Sequence, residues 1–450
     1  MKPTLIVLLT FLFLNPGRSG EPGGDINPLP SLGWSRNATI YEVNIRQFTP
    51  EGTFKAFEAH LPRLQKMGVN ILWLMPVHPV GIKHRKGTLG SYYAVKDYYG
   101  INPEFGTRDD FKELVRKSHE LGMKVIIDWV ANHTAWDNPL IIHHPDWYTK
   151  DSLGNIVAPV ADWTDVADLD FSKSEVRQYM EEAMAFWVRE TGIDGFRCDV
   201  AGMVPIEFWN SAVPRLRKIR PLFMLAEDEN PAMRDTAFDA TYAWGMHHLM
   251  NDIAKGKKSA DKIDSVYRAD TAAYPRDAFR MLFTSNHDEN SWNGTEFERL
   301  GAGARTFAVF TFTFPGIPMV YAGQEAAMDK RLRFFDKDTI PWGGYPLESF
   351  YQTLMRLKTS NDLIASGAGG GQMTSIHTGK EKETYAFVRS KGERKLLVLL
   401  NFSDTDQEIR LQGNAPEGRY KEIFTGETRE WKEGTGMVLK PWQYLVYESY

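Results

Sequence analysis

The sequence predicts an α/β fold: a closed parallel (β/α)8 TIM barrel with a small insertion after its third strand and an antiparallel β-sandwich domain at its C-terminus. Three observations carry that expectation. Short β-branched or apolar runs alternate with longer segments of helical period, as a parallel α/β chain requires. Seven such runs stand out and 237–244 is the candidate for an eighth, while no glycine-rich dinucleotide fingerprint follows the first, which disfavours an open doubly wound sheet. From about Gly367 the texture changes to short strand-like runs separated by turn residues.

Taken in order, the first twenty residues, "MKPTLIVLLTFLFLNPGRSG", place Lys2 before an apolar run and end in small residues. They read as a secretory signal peptide, so a secreted or periplasmic protein is expected. No later stretch is long and apolar enough to span a bilayer. The barrel is expected over 21–130 and 173–366, with strands at "TIYEVNI" (39–45), "NILWLMP" (70–76), "KVIIDWV" (124–130), "DGFRCDV" (194–200), "LFMLAED" (222–228), "AFDATYAW" (237–244), "RMLFTSN" (280–286) and "PMVYAG" (318–323). Between the first three lie "TFKAFEAHLPRLQKMG" and "RDDFKELVRKSHELG", each read as a helix that ends at a capping glycine, Gly68 and Gly122. Residues 131–172 lack helical period and are too long for an ordinary connection, so they form the inserted subdomain. Residues 367–450 form the β domain.

Composition narrows the function. A formal charge of -5 over 450 residues provides no basic surface for nucleic acid. A single cysteine, Cys198, rules out an intrachain disulfide. Aromatic content of 13% supplies rings for core packing or for flat, sugar-like ligands.

The chemistry concentrates at strand ends. In "GFRCDV", Arg197 and Asp199 share one face of a strand while Phe196, Cys198 and Val200 share the other. In a barrel the first face points inward at the C-terminal mouth, where active sites assemble. A guanidinium there favours an ionised carboxylate, so Arg197 is expected to lower the pKa of Asp199, or else to lock the strand as a buried ion pair. Glu227 ends another run, His287 and Asp288 a third, and Asp128, Asn132 and His133 a fourth. Glycoside hydrolysis uses such carboxylates, and a metal-dependent hydrolase is the second reading, although no HxH or HExxH pair occurs. The doublets His143–His144 and His247–His248 read as structural or surface residues, because sequence neighbours face different ways.

Four segments, "DWVANH" (128–133), "GFRCDV" (195–200), "LAE" (225–227) and "SNHDEN" (285–290), resemble in order and spacing the signature regions of the α-amylase family, glycoside hydrolase family 13. Further similarity lies in "GSYYAVKDYYGINPEFGT" (90–107), "VADLD" (166–170) and "FPGIPMVYAGQE" (314–325). The resemblance implies a barrel with a domain B after strand 3 and a C-terminal β domain. It implies Asp199 as nucleophile, Glu227 as acid/base and Asp288 as the carboxylate that binds sugar hydroxyls. Arg197 would orient Asp199, His133 and His287 would hydrogen-bond the same sugar, Tyr93 would stack under it, and Asp128 would support the site. The implied substrate is an α-glucan of starch or maltodextrin type, cleaved at α-1,4 bonds with retention. Alternatives on the same residues are a transglycosylase, an oligosaccharide-specific α-glucosidase or cyclomaltodextrinase, and a non-catalytic glycan-binding relative. The chemistry requires no cofactor. Many α-amylases carry Lys and His shortly after the nucleophile; here Gly202 and Met203 stand there, while Asn132 and Asp168 match two residues used for a structural calcium. The oligomeric state is not legible.

Overall fold

The computed structural model describes residues 32–450, so the proposed signal peptide lies outside the described residues. Eight parallel strands close into a barrel: β1 Ile40–Val43, β2 Ile71–Leu74, β3 Lys124–Trp129, β4 Gly195–Cys198, β5 Phe223–Ala226, β6 Ala240–Tyr242, β7 Phe279–Phe283 and β8 Ile317–Tyr321. Each pairs with its sequence neighbour, and β8 closes on β1 with Ile40 opposite Met319. Each of the eight expected runs contains or overlaps one of these strands.

Strand alternation sorts the side chains. Ile40, Ile71, Ile126, Phe223, Leu225, Ala240, Met281, Ile317 and Met319 fill the barrel interior as one apolar cluster. Cys198 belongs instead to the cluster between strands and helices, as its parity predicts. One step further toward the C-terminal mouth, the inward positions become Glu42 on β1, Asp128 on β3 and Arg197 on β4, with Asp128 and Arg197 in register. A polar layer therefore rests on an apolar plug.

The helix expected over 53–68 is two helices, Phe54–Glu58 and Leu61–Met67. Pro62 has no N–H to return to the preceding turn, so the chain breaks at His60 and restarts with proline in the first turn. Gly68 ends the second helix at φ 108°, and Gly122 follows Arg108–Glu120 at φ 79°. After β3 the chain makes a short antiparallel pair, His133–Ala135 with Val166–Asp168. From Gln372 a six-stranded antiparallel sheet and a two-stranded sheet enclose one core containing Phe387's neighbours Ala386 and Val388 together with Ile409, Trp431 and Leu439. Among the described residues no helix is long and apolar enough to cross a membrane.

Candidate active site

Arg197 is the hub of the polar layer and is fully buried. Its Nη1 lies 2.9 Å from Asp128 Oδ1 and 3.0 Å from Asp199 Oδ1, and its Nη2 lies 2.8 Å from Glu227 Oε1. Its Nε donates to Tyr242 Oη at 3.2 Å, and the guanidinium carbon sits 5.0 Å from the Trp73 ring centre. Three carboxylates thus share one cation. Asp128 also accepts from Trp73 Nε1 at 3.3 Å and from the Tyr93 hydroxyl at 3.0 Å.

Local backbone aims two of these groups. Immediately after Asp199 the chain turns through Val200 at φ 35°, a left-handed conformation that a β-branched residue adopts only under constraint, at a cost of about 1–3 kcal/mol. That turn points the Val200 N–H at Glu227 Oε2, 2.8 Å away. Glu227 is therefore pinned between a backbone donor and Arg197.

The second half of the site comes from the β7 exit. His287 places Nδ1 2.5 Å from Glu42 Oε1, and its Nε2 lies 2.8 Å from Tyr93 Oη and 3.2 Å from Asp288 Oδ2. The Tyr93 ring stacks on His287 at 5.5 Å. Asp288, with 35% of its side chain exposed, faces the open mouth, whereas Asp199 and Glu227 keep 11% and 13%. His133 hydrogen-bonds the Tyr93 backbone, and burial pushes it down to about 4, so it is neutral at ordinary pH.

Electrostatics follow from crowding. Burial and then the charge of Glu227 push the Asp199 carboxyl well up, and these exceed the lowering by Arg197. The expected net lowering of Asp199 is thus reversed: Arg197 divides its charge among three acids, so it cannot offset desolvation at one of them. Burial raises Glu227 as well, against Arg197. Asp288 goes the other way, because His287 and Arg197 outweigh its desolvation. Burial opposes charge on His287, yet Asp288 and Glu42 carry it well above the ordinary histidine range. The pattern is a buried acid pair with both carboxyls pushed up, beside a half-open carboxylate pushed down.

The remaining residues lie to one side. Asn132 Nδ2 donates to Asp168 Oδ1 at 3.4 Å, across the short β pair that joins the insertion to the barrel. Together these provide three side-chain oxygens where calcium takes six to eight, and the described residues contain no group of three or more His, Cys, Asp or Glu able to hold a metal ion. These two side chains alone fall short of a calcium shell. At Gly202 a Cβ would meet Asp228 Oδ2 at 1.8 Å, so the Asp228 carboxylate already fills the space that a side chain at 202 would need. Of the histidine doublets, His247 is buried and contacts Glu289 at 3.2 Å, and His144 stacks on Trp147.

Sequence reading missed Glu42, Trp73 and Tyr242. Glu42 carried a usable signal, a lone charge inside the apolar run "TIYEVNI", the same signal that exposed Arg197. Trp73 and Tyr242 carried none, since an aromatic residue in a strand reads first as core.

A barrel whose mouth gathers an arginine, three acids around it and a fourth beside a histidine defines a carboxylate-based hydrolase. The chain belongs to the α-amylase family: residues 26–152 and 160–362 match "Alpha amylase, catalytic domain", and residues 373–446 match "Maltogenic Amylase, C-terminal domain". It is an α-amylase-type glycoside hydrolase. Among solved structures it is similar to the noncanonic maltogenic α-amylase AmyB from Thermotoga neapolitana, 33% identical, covering 92% of this chain and 99% of that one at TM-score 0.85. An α-amylase from Lactobacillus plantarum is 30% identical over 93% of this chain and all of that one, at TM-score 0.83. Alpha-amylase MalA of Haloarcula japonica is 26% identical over 85% of this chain, which spans 58% of that enzyme's length. A cyclomaltodextrinase of a Bacillus species is 24% identical over 90% of this chain and 78% of its own length.

Proposed function

We propose that this protein is a retaining α-glucan hydrolase that cleaves α-1,4-glucosidic bonds of starch or maltodextrin chains by double displacement. The observation that carries this reading is the Asp199–Arg197–Glu227 bridge, which holds two carboxylates against one guanidinium at the barrel mouth. Relatives named as α-amylases, maltogenic α-amylase and cyclomaltodextrinases support the substrate class. Asp199 is the nucleophile, Glu227 the acid/base, and Asp288 the carboxylate that grips the ring hydroxyls of the sugar being cleaved.

The division of labour follows from the environment. Glu227 holds its proton, passes it to the leaving oxygen, and then takes a proton from the water that releases the sugar. With the pair's proton on Glu227, Asp199 is the ionised partner held at Arg197 Nη1, and it attacks the anomeric carbon. Tyr93 provides a ring face beside His287, and His133 stands as a neutral donor to the sugar. The carboxyls of Asp199 and Glu227 should work at about 5–5.5 Å, the separation for retention. Asn132 and Asp168 tie the insertion to the barrel, and the chemistry requires no cofactor. The apolar run behind Lys2 supports export to the periplasm or beyond.

A second reading keeps the same residues but transfers the glycosyl unit to an acceptor sugar or favours cyclic substrates. The match of residues 373–446 to the maltogenic amylase C-terminal domain and the cyclomaltodextrinase relatives favour keeping it. Time-resolved product analysis on soluble starch, maltooligosaccharides, pullulan and cyclodextrins, with Asp199→Asn as the blank, tests both. Short products from the unsubstituted enzyme alone support hydrolysis. Longer products at high acceptor concentration support transfer, and equal activity in the blank removes Asp199 from its role.

A further inference from the structure

We propose that Glu42 is a positioning residue for this reaction: from β1 it fixes His287 through Nδ1 and so aims the opposite Nε2–H at Tyr93 and Asp288. The inference rests on the functional reading above for its kinetic consequence, but its structural core stands on hydrogen-bond valence. Glu42 is fully buried at the inner face of β1, and the 2.5 Å contact with His287 Nδ1 is the only hydrogen bond of its carboxylate among the described residues, since Oε2 has no hydrogen-bond partner.

The protons can be assigned by elimination. The Tyr93 hydroxyl has one hydrogen, and its 3.0 Å contact directs it to Asp128 Oδ2, an oxygen that also faces the donors Arg197 Nη1 and Trp73 Nε1. Toward His287 the Tyr93 oxygen can then only accept, so the 2.8 Å contact requires a hydrogen on Nε2. The 3.2 Å contact from the same nitrogen to Asp288 requires it too. An ionised Glu42 can only accept as well, so the contact at Nδ1 requires a second hydrogen. The ring is then an imidazolium with both N–H groups directed. A neutral ring would present a lone pair either to Glu42, which would then have to be protonated, or to Tyr93 and Asp288, in which case Asp288 would lose the donor that holds it.

Every charged or titratable group around the ring is in place for this. His287 faces Glu42 from β1, Tyr93 from the loop after β2, Asp128 from β3, Arg197 from β4, Glu227 just after β5 and its own neighbour Asp288. The acids outnumber Arg197, which favours the ring's charge. Burial raises Glu42 also, so the competing arrangement is a protonated Glu42 against a neutral ring. Charge on Asp288, 3.2 Å from Nε2, favours the imidazolium, and the two arrangements are distinguishable by experiment.

The test pairs Glu42→Gln, which keeps shape and an acceptor but removes charge, with Glu42→Asp, which keeps charge. Long-range 1H–15N spectra of 15N-histidine-labelled protein, with His287→Asn for assignment, read the ring directly. The expected result is a doubly protonated His287 up to pH 8 in the natural protein and one that titrates between pH 5 and 8 in Glu42→Gln. The kcat of Glu42→Gln on maltotriose then falls about ten- to a hundredfold at pH 8, less at pH 5, as expected for losing a directed hydrogen bond to a charged group. Glu42→Asp restores the natural alkaline limb. A singly protonated His287 at pH 7 in the natural protein overturns the proposal, and this reading does not depend on whether Glu42→Gln folds. So does Glu42→Gln with an unshifted alkaline limb. If the natural protein hydrolyses no α-glucan, the functional reading fails instead, while the spectra still decide the state of the ring.

Discussion

Replacing Arg197 with lysine keeps the positive charge in the barrel and removes only the geometry of the guanidinium, which makes it the sharpest perturbation of the site. The guanidinium serves Asp128 and Asp199 from Nη1, Glu227 from Nη2 and Tyr242 from Nε. An ammonium is a single point, so a lysine can keep Asp128 and Asp199 but cannot also reach Glu227 and Tyr242. The guanidinium's ion-pair contact with Glu227 and its hydrogen bond to the Tyr242 hydroxyl are lost, together about 2–4 kcal/mol. Because Glu227 loses its partner on the reacting side, the loss falls on the transition state, and kcat/KM should drop about 30- to 1000-fold. Initial rates on maltotriose at several pH values, with a melting curve for each protein, provide the measurement. A variant that melts like the natural protein and keeps kcat/KM within about fivefold would refute the bridging role of Arg197.

Two further predictions concern stability. Glu296 is buried between Gln324 and Thr284, and burial pushes its carboxyl up to about 7. A folded value above the unfolded one stabilises fully below the unfolded pKa and loses that contribution as pH rises through about 7, a loss on the order of 3 kcal/mol. Glu296→Gln should therefore gain on the natural protein in melting temperature between pH 5 and 8; a difference that is flat with pH would contradict the assignment. Removing divalent metal with a chelator should leave the melting temperature unchanged, because Asn132 and Asp168 hold each other directly. A drop of several degrees would show that the insertion does bind an ion.

Much of this architecture was legible in the chain, for physical reasons that also explain the gaps. Each barrel strand is a short apolar run bounded by polar residues, because both of its faces are buried, and that signature survives without tertiary information. The break at His60 was equally written in Pro62 but was overridden by the apolar spacing of Phe54, Phe57, Leu61 and Leu64, which is continuous through the break. In the site, Arg197 and Asp199 announced themselves as a charged pair in an apolar strand. Glu42 gave the weaker form of that signal and took its meaning only from His287, 245 residues away. The upward net shift at Asp199 was not legible, because it depends on how many acids converge on one guanidinium. Parity along β3 and β4 places Asp128 beside Arg197 only once the strands are known to be neighbours.

The central claim is that Asp199 forms a covalent bond to the sugar and that Glu227 controls its release. It is tested most directly by mass spectrometry of the Glu227→Gln variant mixed with an α-maltosyl fluoride, whose leaving group needs no acid. The account predicts a maltosyl adduct that accumulates on the peptide containing Asp199 and is absent from Asp199→Asn. No adduct in either variant, or an adduct on another carboxylate, would contradict it.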